Sequence, residues 1–146
     1  MSQQYIIFKL CDKKFGVNIR YVLEIIAPQE VFKTPNTPKY IEGLINLRGK
    51  VFTLINLREK FDFCSDDMDK SDMKFLIVNT NLISAGFIVD EVEDIEIIED
   101  NNIISVSELN TDFNKEYLYG VAKIDDKEIF LLEPESFMEN LKIGIA

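Results

Sequence analysis

The stretch YIEGLINLRGKVFTLINLREKF, residues 40–61, is matched without a gap by YLYGVAKIDDKEIFLLEPESFM, residues 117–138. Tyr40 and Tyr117, Gly43 and Gly120, Lys50 and Lys127, and Leu54 and Leu131 fall in step. Each copy reads as strand, tight turn, strand and short helix. The apolar runs 43–47 and 51–55 flank Arg48-Gly49, and the runs 119–124 and 128–132 flank Asp125-Asp126. Gly49 supplies the positive φ that a tight hairpin favours, and the turn itself does not call for an arginine at position 48. Asn56 is placed to cap the helix LREKF, and Pro134 suits the first position of the helix PESFMENL.

The echo extends upstream. GVNIRYVLEI (16–25) matches GFIVDEVEDI (86–95), with Val22 facing Val92, the acid Glu24 facing Asp94, and Ile25 facing Ile95. The runs 5–10 and 15–19 read as a hairpin across Asp12, Lys13 and Lys14. Residues 20–26, RYVLEII, fit either a helical face or a strand. Pro35 and Pro38 make 33–38 a loop. Further strands are expected over 74–79, 82–89 and 95–98. The polar stretch 99–115 has one apolar patch, Ile103 and Ile104.

Each half thus has the order hairpin, connector, hairpin, short helix, as an old duplication would leave it. The reading is a mainly β chain forming two small barrels, each closed to avoid free edges. Neither has the residues for a large core of its own, so the two should pack together and leave a groove at their junction. The expected division is one domain over 1–146, with one subdomain over 1–66 and a second over 73–146. The acidic run CSDDMDKSD (64–72) lies between them, and exchange of strands across it is left open.

Composition narrows the function. With 47% apolar residues in 146, a real core can form. Lys and Arg number 16 against 26 Asp and Glu, a net charge of −10. Nucleic-acid binding depends on neutralising phosphates and adsorption to anionic lipid on basic clusters, so neither is expected. An acidic chain steers toward basic surfaces. Histidine is absent, which removes Ser-His-Asp, Cys-His and His-metal chemistry. No GxGxxG or GxxxxGK[ST] cradle is present. Cys11 and Cys64 have no CxxC spacing. The N-terminus lacks a basic region before an apolar one, and no apolar run reaches membrane-spanning length. A cytoplasmic protein with free thiols is expected.

The elements FKLCDKKFGVNI (8–19), VLEI (22–25), TPNTP (34–38), GLINLRG (43–49) and LINLR (54–58), with YLYGV (117–121) and FLL (130–132), resemble CheW, the chemotaxis coupling protein family. The resemblance runs from about Tyr5 to Phe137, and its most specific element is GxxNLRG after PNxP. It implies two SH3-like barrels, no catalysis and no cofactor. It implies an adaptor in the cytoplasm, associated with membrane receptor arrays only through its partners. Those partners are the cytoplasmic tip of methyl-accepting chemoreceptors, held in the groove between barrels, and the regulatory domain of the histidine kinase CheA, held at barrel edges. Carried over by motif, Ile19, Val22, Glu24, Gly43, Asn46, Leu47, Arg48, Gly49, Phe87 and Val89 are the candidate partner-binding residues. Two departures stand out: Asn56 where relatives often carry Asp, and Leu132-Glu133-Pro134 where Leu-Leu-Asp is common.

Each candidate also has a plainer reading. Arg48 alone is a solvated turn residue, and the resemblance is what favours a fork-shaped contact to a carboxylate. Val22 and Glu24, two apart, would share one face of a strand. Gly43 and Gly120 are matched as sites of close backbone approach or a bulge. Phe87 and Val89 read as ordinary core before groove wall. Arg58 reads as structural. Glu93-Asp94 and Glu99-Asp100 would serve a carboxylate enzyme, but nothing in the sequence forms a pocket with them. The alternatives are an adaptor in a non-flagellar chemosensory pathway or a small β-barrel ligand-binding protein.

Overall fold

The computed structural model describes residues 1–62, 70–81, 83–108, 115–139 and 141. The first hairpin pairs β1 (Ser2–Leu10) with β2 (Lys13–Asn18), from Tyr5 opposite Asn18 to Leu10 opposite Lys13. Asn18 then accepts a hydrogen bond from the Arg20 amide and caps a 3-10 turn over Ile19–Tyr21. After that turn β3 (Val22–Ile26) begins. The ambiguity of RYVLEII resolves as neither one helix nor one strand, because the turn redirects the chain into a different sheet.

β4 (Ile41–Leu47) and β5 (Lys50–Asn56) form the central hairpin, followed by α1 (Leu57–Phe61). Asn56 caps that helix by accepting from the Glu59 amide at 3.2 Å. Next come β6 (Lys74–Asn79), β7 (Ser84–Val89) and β8 (Glu91–Glu99), the last longer than the 95–98 expected. The Ile103 and Ile104 patch is β9 (Ile103–Ser105). The chain closes with β10 (Leu118–Ile124), β11 (Lys127–Leu132) and α2 (Pro134–Glu139).

The strands form two sheets, ordered β8-β1-β2-β11-β10-β9 and β3-β6-β7-β5-β4. Exchanging β1, β2, β3, β4 and β5 for β6, β7, β8, β10 and β11 converts one order into the other. Phe32, bridged to Leu44, stands where β9 pairs with β10. Each sheet takes strands from both sides of the acidic run. The β1–β2 hairpin lies beside β11 and the β6–β7 hairpin beside β5, in both cases through a parallel pairing.

The correspondence extends to detail. The registers slip at Gly43 in one copy and at Gly120 in the other. The Asn56 amide donates to the Tyr40 carbonyl and the Glu133 amide to the Tyr117 carbonyl. Both hairpin tips have two consecutive residues at positive φ: Arg48 at 52° and Gly49 at 86°, Asp125 at 46° and Asp126 at 66°. Two positive φ values in a two-residue loop define the turn whose twist suits a hairpin. Arg48 therefore takes part in the left-handed turn itself.

The inner strands of each sheet are covered on both faces, while outer strands such as β3 and β8 keep side chains exposed. In β1, Tyr5 and Ile7 join Ile98, Ala122, Ile129 and Leu131 in the inner core of the six-stranded barrel. Their neighbours Ile6, Phe8 and Leu10 point the other way, into a second cluster. The five-stranded barrel has its own inner core of Ile45, Phe52, Leu54, Phe75, Ile77 and Ile88. Between the barrels, Phe8, Phe15 and Val17 meet Leu76, Val78, Phe87 and Val89, with Leu57 and Phe137 of the two helices. Phe61 stacks on Phe15 at 5.4 Å, and Phe137 meets Phe87 edge-on at 5.4 Å, two of the arrangements that aromatic quadrupoles favour.

A partly buried ion pair ties the corner where the chain crosses between sheets. Arg58 Nε donates to Asp90 Oδ1 at 2.9 Å and its Nη2 to Oδ2, and both side chains are only 14% exposed. Asp90 Oδ2 also accepts the Cys11 amide at 2.7 Å, while the Asp90 amide donates to the Lys9 carbonyl. Arg58 thus has the structural part expected of it, with Asp90 as its carboxylate. Cys11 is disulfide-bonded, so the free-thiol expectation fails for it. Cys64 lies outside the described residues.

Candidate functional site

The candidate residues separate into three groups. The first surrounds the β4–β5 hairpin tip. Asn46 Oδ1 accepts the Gly49 amide at 3.0 Å and holds the turn, and the Asn46 carbonyl accepts from Gln29 Nε2. Leu47 turns inward against the five-stranded barrel's core. Gly49 is exposed, with nothing within 4 Å of where a Cβ would stand. Arg48 extends from the tip with its side chain 70% exposed.

Arg48 meets Glu24 in a fork. Nη1 donates to Oε1 at 3.1 Å and Nη2 to Oε2. The planar guanidinium matches the carboxylate with two parallel bonds, a geometry an ammonium cannot reproduce. These hydrogen bonds hold the Glu24 carboxyl below its ordinary value, and Glu24 in turn raises Arg48. Glu24 lies on β3, the first strand of the five-stranded order, and Arg48 follows β4, the last. The pair closes the barrel's two ends on each other.

The second group is Ile19 and Val22, half-buried against the shared core. Glu24 does not share their face. The register of β3 slips, so that Val22 sits opposite Val78 and Glu24 opposite Ile77. Val78 belongs to the shared core and Ile77 to the barrel's inner core. A bulge at Leu23 inserts one residue and reverses the alternation, so the expectation of one common face is corrected. β8 has the same slip, with Phe8 opposite Val92 and Ile7 opposite Asp94. Val22 and Glu24 are thus presented on two different surfaces.

The third group is structural. Phe87 and Val89 are fully buried, because β7 is an inner strand with both faces covered. The expectation that they contact a partner is corrected: they offer it no surface. Gly43 is buried at its bulge with φ near 150°, and a Cβ there would stand 2.4 Å from the Phe32 carbonyl oxygen. Gly120 faces the Ile104 carbonyl oxygen at 2.6 Å in the same way. Close backbone approach is sufficient reason for both glycines.

Sequence reading missed the exposed apolar side chains around this face. Leu23 is 59% exposed, Ile25 40% and Val51 61%. Leu23 is thrown outward by the bulge. The available signal was the run VLEII, too apolar for an edge strand with one solvated face.

The family model described as "CheW-like domain" matches residues 4–142. The chain is 35% identical to a chemotaxis protein CheW of Helicobacter pylori over 93% of this chain and 81% of that protein. It is 27% identical to a chemotaxis protein CheW of Klebsiella aerogenes, over all of this chain and 87% of that one. Among solved structures, the scaffolding protein TtCheW from Thermoanaerobacter tengcongensis superposes with a TM-score of 0.82 at 33% identity. That match covers 91% of this chain and 85% of the other.

Proposed function

The chain belongs to the CheW-like domain family, and from that premise we propose that it is a non-catalytic chemotaxis adaptor. It couples transmembrane chemoreceptors to the histidine kinase CheA and so brings the kinase under receptor control. The observation that carries this reading is the family match over residues 4–142, nearly the whole chain. The superposable TtCheW is itself a scaffolding protein, which supports the same reading. The adaptor works in the cytoplasm and reaches the membrane through its partners. Among the described residues no helix is long and apolar enough to cross a bilayer.

In this reading the hairpin tip is one contact surface. Arg48 and Glu24 form a charged clamp, with the apolar side chains of Leu23 and Ile25 exposed on β3 and that of Val51 on β5. Ile19 and Val22 belong to a second surface, at the margin of the shared core. Two faces separated by a bulge suit a protein that holds two partners at once. The test is reconstitution with receptor-bearing membranes and CheA. The adaptor should co-sediment with both and make kinase activity responsive to receptor ligand. Failure to bind either partner would sink the proposal.

A further inference from the structure

β3 and β4 stand at the two ends of the five-stranded order and are not hydrogen-bonded neighbours. The connector that leaves β3 returns alongside β4 and meets it at one backbone bridge. There Phe32 and Leu44 exchange both hydrogen bonds at 2.8 Å. On the tip side of that bridge, among the described residues, two polar ties remain. One is the Arg48–Glu24 fork. The other is the bond from Gln29 Nε2 to the Asn46 carbonyl at 2.8 Å.

The twin barrel shows what the second tie stands in for. Beside β10 runs a true strand, β9, paired from Gly120 opposite Ser105 to Ala122 opposite Ile103. Beside β4 the connector makes its single bridge at Phe32. The next antiparallel step would set Glu30 against Asn46, and no bridge forms there. The Asn46 carbonyl takes its hydrogen from the Gln29 side chain. A side-chain amide thus holds the outgoing end of β4, where the backbone ladder has already stopped.

Asn46 is gripped at both ends. Gln29 holds its carbonyl, and its own Oδ1 holds the Gly49 amide at 3.0 Å. Arg48 lies inside the turn that the second bond closes, at a φ of 52°. Gln29 follows the strand that carries Glu24, so the Gln29 tie and the fork join the same two pieces of chain. The Gln29 tie shortens the segments left free beyond the bridge, from 24–32 and 44–48 to 24–29 and 46–48. Shorter segments cost less entropy to close, and a side chain already in place loses less freedom when it binds.

We propose that Gln29 is a positioning residue, which acts through Asn46 to fix the tip that presents Arg48 to its partner. Its effect on the tip is a property of the isolated chain, and its effect on coupling rests on the adaptor reading. The test uses Gln29→Met in the full chain. That change keeps the length and neutrality of the side chain and removes the amide. The unaltered chain and Arg48→Ala are measured beside it.

Carboxyl-detected NMR should show the Glu24 midpoint moved upward, part of the way to its position in Arg48→Ala. The melting temperature should stay within about 3 °C, as for other exposed sites. Receptor-dependent kinase activation should fall by a factor of about three to ten, the scale of one net hydrogen bond. An unmoved Glu24 midpoint would overturn the proposal, and so would a moved midpoint with activation undiminished. If the unaltered chain itself fails to couple, the adaptor reading falls, and the midpoint alone decides whether Gln29 positions Arg48.

Discussion

Glu24 and Arg48 stand at opposite ends of one five-stranded sheet and are joined by a fork-to-fork ion pair. Either the pair matters because it fixes the barrel end, or Arg48 matters because a partner touches it directly. Exchanging the charges separates the two. Arg48→Glu alone should abolish receptor-dependent kinase activation, since two carboxylates then face each other. Glu24→Arg combined with Arg48→Glu should restore activation if the closed end is what counts. A double variant that folds normally but stays uncoupled would assign Arg48 to a direct partner contact. In either case Arg48→Ala should shift the melting temperature by no more than about 3 °C, as for an exposed site in a chain of this size.

The same pair titrates. The Glu24 carboxyl is held below its ordinary value chiefly by hydrogen bonds from Arg48. A carboxylate depressed in the folded state contributes fully above its unfolded value, and the contribution fades as pH falls through the depressed one. A carboxyl-detected NMR titration of Glu24 should therefore show a midpoint below the ordinary glutamate value of 4.5. In Arg48→Ala the midpoint should move up. An unmoved midpoint would mean that the fork does not persist in solution.

Arg58→Ala should behave differently from Arg48→Ala. It strands Asp90 at a partly buried corner, leaving its carboxylate the Cys11 amide as a donor. Breaking a partly buried, doubly hydrogen-bonded pair on one side costs about 2 kcal/mol, between the exposed and fully buried cases. Urea unfolding should show that loss, and kinase coupling should fall only as the folded fraction falls. A stable Arg58→Ala with lost coupling would reverse the parts assigned to the two INLR copies.

The bulge glycines give a graded series. Gly43→Ala combines an unfavourable φ with a Cβ 2.4 Å from backbone, and Gly120→Ala meets backbone at 2.6 Å. Gly49→Ala meets nothing and bears only the strain of its φ of 86°. Thermal melts should rank Gly43→Ala as the most damaging and Gly49→Ala as the mildest, at about 1 kcal/mol. An intact Gly43→Ala that fails only in partner binding would show that the glycine serves the interface after all.

Local chemistry was legible in the sequence. Asn56 announced a cap, Arg48-Gly49 and Asp125-Asp126 announced turns, and the offset between Tyr40 and Tyr117 announced the repeat. The features that escaped it depend on distant partners. The slip at Leu23 shows only against β6, so the alternation of VLEII placed Val22 and Glu24 on one face. Asp90 becomes the partner of Arg58 only after the chain has folded back over both sheets. The apolar strand of Phe87 and Val89 reads the same whether its second face meets a partner or the other barrel. Two stacked barrels cover both faces, and no single strand records that.

The exchanged hairpins also constrain how the protein is made. β2 pairs Lys14 with Ile129, so the first hairpin, which can meet β8 on its β1 side once Glu99 is made, finds its β2-side neighbour only when synthesis is nearly complete. Phe8, Phe15 and Val17 can pack on the five-stranded barrel once Val89 is made, but their own sheet stays open on its β2 side until then. Closure of the six-stranded barrel must therefore be essentially post-translational, while the five-stranded barrel can form before synthesis ends.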